Sequence, residues 1–202
     1  MDFFRRAAGA PRRRGVFSGT FNPPTRAHVA LARAALARVE AVVFVLPRAF
    51  PHKIYEGASF EDRVGMLAAA LVDDFQFSIA ASRGGLFIDI ARECREAYGA
   101  AVELFFLCGR DAAERIVGWD YGEPGEIRRQ LEEYRLLVAP RQGGYEPPAH
   151  LRDGVCLLEI DGGYDDVSAT LVRERIRSGG EWESLVPAQI VETVRQVYAE
   201  KA

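Results

Sequence analysis

The turn Gly19-Thr20-Phe21-Asn22-Pro23-Pro24-Thr25-Arg26-Ala27-His28 holds the first residues of this chain suited to phosphate chemistry. Gly19 lets a main chain approach a phosphate closely. His28 falls in the first turn of a predicted helix, where the positive end of the helix favours anions, and an imidazole there can donate to a phosphoryl oxygen. A second set comes late, in Val167-Ser168-Ala169-Thr170-Leu171-Val172-Arg173. Ser168 can cap a helix whose backbone donors point outward, and Arg173 lies one turn on, on the side of Thr170, which makes a small anion trap. A third set is Gly109-Arg110-Asp111, followed after seven residues by Trp119. An indole gives a flat ring contact area with few rotors to freeze. Each set has a bland reading as well: a capping histidine, a capped amphipathic helix, a core tryptophan.

The elements that must position these groups alternate strand and helix, the pattern of βαβ units around a parallel sheet. Strands are expected at 14–18, 41–46, 75–79, 102–107, 135–139 and 155–160, and helices at 27–39, 59–72 and 88–98. The run 41–46 is apolar throughout, as expected where helices cover both faces of a sheet. Ser59 with Asp62 reads as a capping pattern. Two helices close the chain, one over 168–178, stopped by Gly179-Gly180, and one begun by Pro187. Residues 121–134 read as a loop with a surface helix. In such a sheet ligands bind beyond the carboxyl ends of the strands, and the three sets fall at strand ends or helix starts.

Length and composition bound the rest. At 202 residues and 49% hydrophobic content the chain suits one well-cored domain with a short helical appendage. The expected organisation is a basic, mobile lead-in over 1–13 and a single domain over 14–202, with 168–202 as its helical part. A net charge of -3 with 27% charged residues does not suggest a polyanion partner such as duplex DNA. Cys94, Cys108 and Cys156 lie far apart, without zinc spacing or a disulfide frame, and read as buried thiols in a reducing cytoplasm. No apolar stretch reaches the roughly 18 residues of a membrane span.

The first set resembles the TxGH or HxGH signature of the nucleotidyltransferase superfamily, in its threonine form, with Ala27 where glycine is usual. The second resembles that superfamily's ISSTxxR motif. The third is similar to the GxD(7)W pattern of the nicotinate or nicotinamide mononucleotide adenylyltransferases. Pro51-His52-Lys53 with Ser59-Phe60-Glu61-Asp62-Arg63-Val64-Gly65-Met66 resembles that family's PHK loop and following helix, and Val138-Ala139-Pro140-Arg141 its VxPR segment. The likeness runs from about Gly15 to Val197.

The resemblance implies a Rossmann-like, doubly wound parallel α/β sheet of nucleotidyltransferase type with a small C-terminal helical subdomain. It implies transfer of AMP from ATP to a pyridine mononucleotide with release of pyrophosphate. By carry-over, Gly19, Thr20, Phe21, Thr25, His28, Gly109, Asp111, Ser168, Thr170 and Arg173 bind ATP, while Asn22, Lys53, Phe87, Trp119 and Arg141 hold the pyridine nucleotide. Catalytic weight falls on His28 at the α-phosphate, Arg173 at the leaving pyrophosphate and Lys53 as auxiliary phosphate neutraliser. Mg2+ is expected to arrive mainly through the ATP phosphates, with no protein metal set. Neither nucleic acid nor membrane is expected as a partner, and homo-oligomerisation is left open.

One segment departs from the family. YTxxT aligns with Leu86-Phe87-Ile88-Asp89-Ile90, so both threonine hydroxyls are missing. Their loss would remove one means of discriminating between pyridine forms. The rivals are a phosphopantetheine adenylyltransferase or cytidylyltransferase, and a regulator that binds nucleotide without turnover. A dehydrogenase ranks low because the first turn lacks GxGxxG.

Overall fold

Residues 1–48, 57–140, 144–160, 163–164 and 166–199 are described by a computed structural model. Among them seven strands form one sheet: β1 (Asp2–Arg5), β2 (Arg13–Ser18), β3 (Ala41–Pro47), β4 (Phe77–Ser82), β5 (Glu103–Gly109), β6 (Arg135–Ala139) and β7 (Val155–Leu157). The spatial order is β1-β4-β3-β2-β5-β6-β7, and only the β1–β4 pairing is antiparallel. The helices are α1 (Arg26–Ala35), α2 (Phe60–Ala70), α3 (Phe87–Tyr98), α4 (Arg110–Val117), α5 (Glu126–Glu133), α6 (Ala169–Ser178) and α7 (Val191–Val194).

Side chains alternate across a strand, so Val16 and Phe17 face opposite sides of the sheet. On one side, Val29, Ala32 and Ala35 of α1 and Leu67 of α2 pack on Phe17, Val42, Phe44 and Leu107. On the other, Ile90 and Cys94 of α3, Ala113 of α4 and Leu131 of α5 cover Val16, Val43, Phe106 and Val138. With helices on both faces, β3 is buried at every position, as its unbroken apolar run requires. The sheet is doubly wound. Successive strands step one way from β2 to β3 and β4, and the other way from β5 to β6 and β7. The crevice at the carboxyl ends of β2 and β5 is therefore the topological switch point, where such sheets bind ligands.

A third apolar cluster joins the C-terminal part to α2. Val172, Trp182, Leu185, Val186, Ile190, Val194 and Tyr198 pack with Ala58, Met66 and Ala70. Beyond Pro187 the chain makes a 3-10 turn at Ala188–Ile190, then α7, then a wider π turn at Arg195–Ala199. Gly179 ends α6 in the left-handed region, at φ 69°.

Several expectations change. Residues 2–5, read as part of a mobile lead-in, form the antiparallel edge strand. Two arginines of that basic stretch are tied to the fold. Arg5 donates to the carbonyls of Leu71, at 2.5 Å, and Asp74, and Arg6 lies over the rings of Phe3 and Tyr98 at 4.8 and 4.9 Å. Phe75 stays outside β4, 82% exposed, and β7 ends at Leu157, although the Leu158 N–H still donates to the Val138 carbonyl at 2.8 Å. A helix, α4, occupies the span between Gly109 and Trp119, for which the sequence predicts no element. Cys94 and Cys108 are buried free thiols, while Cys156 is half-buried. Burial pushes the first two thiols up to about 12, so both stay protonated at neutral pH.

Candidate active site

The site is built on the turn that follows β2. The backbone N–H of Gly19 donates to the Val45 carbonyl at 3.0 Å, which carries the sheet ladder one residue past the strand. The chain then bends through Phe21 at φ 47°, a left-handed conformation that costs a non-glycine residue about 1 to 3 kcal/mol. Packing offsets that cost, because the buried Phe21 ring meets Phe17, Phe44 and His28 with centroids 5.3 to 5.4 Å away. A Cβ on Gly19 would sit 3.0 Å from the same ring. Glycine is thus needed here to admit Phe21, quite apart from any approach to a phosphate.

Two arginines from distant helices hold the carbonyls of this turn. Arg63 of α2, itself buried, donates to the Thr20 carbonyl at 3.1 Å. Arg173 of α6 donates to the Asn22 carbonyl at 2.6 Å. A trans peptide points its N–H opposite its C=O, so the Thr20–Phe21 peptide turns its N–H away from Arg63. The oxygens of the turn are thereby committed to cations.

Thr25 and His28 form a reciprocal cap at the start of α1. Thr25 Oγ1 accepts from the His28 backbone N–H at 3.4 Å, and His28 Nδ1 accepts from the Thr25 backbone N–H at 2.9 Å. The Thr25 hydroxyl lies 2.8 Å from the same Nδ1. A backbone N–H can only donate, so Nδ1 is the acceptor and the proton of the neutral ring sits on Nε2. The cap that starts the helix therefore also sets the tautomer of His28, with Nε2–H as the donor edge.

Ser168 caps α6 as its sequence suggested, its Oγ accepting from the Leu171 N–H at 3.1 Å. Arg173 reaches Thr170 Oγ1 at 3.4 Å, which puts the guanidinium and this hydroxyl on one side of the helix. Because Arg173 also bonds Asn22, the late helix and the first turn are in direct contact. Arg26 adds a second tie, donating to the Ser184 carbonyl at 3.3 Å.

The third set sits on the neighbouring strand. Val16 pairs with Phe106, so Gly19 and Gly109, each three residues on, leave β2 and β5 at one level. Gly109 caps α4 without a side-chain bond, and Asp111 lies in the exposed first turn of that helix. Trp119 follows the end of α4, is 56% exposed, and borders an open cleft of about 700 Å³ with Asp111, Glu114, Arg115 and Gly118. The reading of Trp119 as a core residue is set aside. Phe87 behaves differently: its ring stacks on Phe106 at 4.4 Å and meets Tyr134 edge-on, making it part of the core under α3. Lys53 and Arg141 lie outside the described residues.

Two residues that touch the turn carried no role in the sequence reading. Arg63 could have been found, as a cation among Met66, Leu67 and Ala70 on the buried stripe of α2. Tyr198, which donates to the Asn22 side chain, had no local signal.

The cytidylyltransferase-like family model matches residues 16–175, from β2 into α6. A Gloeobacter violaceus protein named probable nicotinate-nucleotide adenylyltransferase is 34% identical over 199 residues, covering 91% of this chain and 94% of that protein. The chain belongs to the nicotinate-nucleotide adenylyltransferase family. A Thermus thermophilus relative of the same name is 31% identical over 194 residues, covering 93% of this chain and 96% of its own. The fold agrees with a solved structure of Plasmodium falciparum nicotinic acid mononucleotide adenylyltransferase complexed with NaAD. That match has a TM-score of 0.71 at 16% identity, over 92% of this chain and 95% of that one. In this member of the family, the histidine turn and the serine-arginine helix meet at the switch point of the sheet. Among the described residues no helix is long and apolar enough to cross a membrane.

Proposed function

We propose that the chain transfers AMP from ATP to nicotinate mononucleotide, forming deamido-NAD and pyrophosphate in NAD biosynthesis, with the first turn and α6 gripping one triphosphate between them. The contact between Arg173 and the Asn22 carbonyl carries this reading, because it joins both phosphate-type motifs into one site. A phosphate oxygen of the acceptor attacks the α-phosphorus. The bond from that phosphorus to the bridging oxygen breaks in line, and pyrophosphate departs with the electron pair. No covalent enzyme intermediate is required; the protein aligns two polyanions and neutralises the charge that builds on them.

His28 donates from Nε2 to the α-phosphate, where charge grows in the transition state. Ser168, Thr170 and Arg173 receive the β- and γ-phosphates, and Gly19, Thr20, Phe21, Thr25, Gly109 and Asp111 complete the nucleotide side. Trp119 offers its exposed indole to the pyridine ring, with Asn22 on the acceptor side, while Phe87 serves the core behind it. Lys53 supplies further positive charge and Arg141 holds the pyridine nucleotide. The donors around the turn are guanidiniums, hydroxyls and backbone amides, which suit phosphate oxygens better than a cation. Mg2+ would therefore arrive with the triphosphate, bound mainly through it, and would supply charge neutralisation there.

An acceptor panel scored by pyrophosphate release tests the reaction. ATP with nicotinate mononucleotide is expected to give pyrophosphate and the dinucleotide, while CTP and phosphopantetheine give none. Release with CTP, or with phosphopantetheine in place of the pyridine nucleotide, would contradict the proposal. Nicotinamide mononucleotide in the same panel measures what the missing threonines at 87 and 90 cost in discrimination.

A further inference from the structure

Tyr198 lies 176 positions after Asn22, yet its hydroxyl donates to the Asn22 Oδ1 inside the molecule. Its ring belongs to the third apolar cluster, beside Met66, Val172 and Val194, and is nearly buried. Burial pushes the phenol up, against a lowering pull from the charges of Arg173 and Arg63, so the hydroxyl remains a donor at working pH. An amide whose oxygen accepts from a hydroxyl has its two ends assigned, oxygen towards the tyrosine and amino group away. Asn22 is therefore held twice, by Tyr198 at the side chain and by Arg173 at the main-chain carbonyl.

Gly57 closes the same corner. It sits at φ 106°, and a Cβ there would lie 3.2 Å from the Tyr198 ring and 3.5 Å from the Asn22 Oδ1. Three distant parts of the chain thus meet at one amide: the first turn, Gly57 ahead of α2, and the C-terminal helical turn.

We propose that Tyr198 is a positioning residue for the acceptor side of the reaction, fixing the Asn22 amide against which the pyridine mononucleotide is aligned. The inference rests on the assignment of Asn22 to that substrate. The nucleotide side, built on His28, Ser168, Thr170 and Arg173, does not depend on the tyrosine hydroxyl.

Tyr198→Phe removes the hydroxyl and keeps the ring. A lost neutral hydrogen bond corresponds to about a three- to tenfold effect, so KM for nicotinate mononucleotide should rise by that factor. KM for ATP should stay within about twofold, and the melting temperature should scarcely move. A double-mutant cycle separates positioning from general support: Asn22→Ala alone should raise the same KM, and adding Tyr198→Phe to it should change nothing further. Asn22→Ser serves the same cycle if the alanine variant does not fold. The proposal is overturned if Tyr198→Phe leaves the acceptor KM unchanged, shifts both KM values together, or acts equally with and without Asn22. A wild-type protein that makes no dinucleotide removes the parent reading and this inference with it; an active wild type with an additive cycle removes the inference alone.

Discussion

His28 combines two jobs in one side chain. Its Nδ1 closes the helix cap with Thr25, and that bond leaves the proton on Nε2. Replacing it by alanine should lower turnover by about two to three powers of ten, the scale of losing one transition-state donor, which steady-state pyrophosphate release will measure. Near-normal turnover in His28→Ala would refute the role. Arg173 bonds three oxygens from one guanidinium, those of Asn22, Ala169 and Thr170. A lysine lacks that planar fork, so Arg173→Lys should still lose about tenfold or more in kcat/KM for ATP. At this scale the sequence was readable where partners are near in the chain. Thr25, His28, Ser168 and Arg173 form caps and one-turn pairs whose spacing is visible in one dimension. Arg63 and Tyr198 act through partners 43 and 176 positions away; a cation on the apolar stripe of α2 hints at the first, and nothing local announces the second. Gly19 was singled out for a different reason from the one its surroundings supply, since the Phe21 ring lies where a side chain would go.

The helices that carry the site start where cap chemistry says they should. Ser59 and Asp62 exchange two bonds of 3.0 Å at the head of α2, and the same helix delivers Arg63 to the turn. Ser59→Ala should cost about 1 kcal/mol of stability in urea unfolding. An unchanged midpoint would show that the cap adds nothing here. Strands with continuous apolar runs, β3 above all, were legible because burial on both faces leaves no other pattern. The misses have the opposite character. β1 is short and mixes arginines with phenylalanines on an edge, and α4 buries fully only Ala113, too thin a stripe to show a period. Phe87 could not be resolved by alignment either. The stack on Phe106 shows why an aromatic ring suits that place, with the core taking a side chain where the family carries a hydroxyl.

At the scale of the molecule, the reversal of strand order between β2 and β5 creates the crevice, and the C-terminal layer holds the first turn from behind through Asn22, Arg26 and the cluster around Tyr198. The core on the α3 side encloses Cys94 and Cys108, whose folded thiols sit at about 12 against an ordinary value of 9.0. A raised folded value gives stability that is whole below 9.0 and is lost as pH climbs towards 12, because the unfolded chain releases those protons first. Urea midpoints should therefore fall between pH 8 and pH 11, and a Cys94→Ala, Cys108→Ala protein should fall less steeply. The central claim, that the turn after β2 and α6 share one triphosphate, is tested most directly by a crystal structure with a non-hydrolysable ATP analogue. The account predicts the α-phosphate within hydrogen-bond reach of His28 Nε2 and the outer phosphates on Ser168, Thr170 and Arg173. An analogue bound with its phosphates away from either group would contradict it.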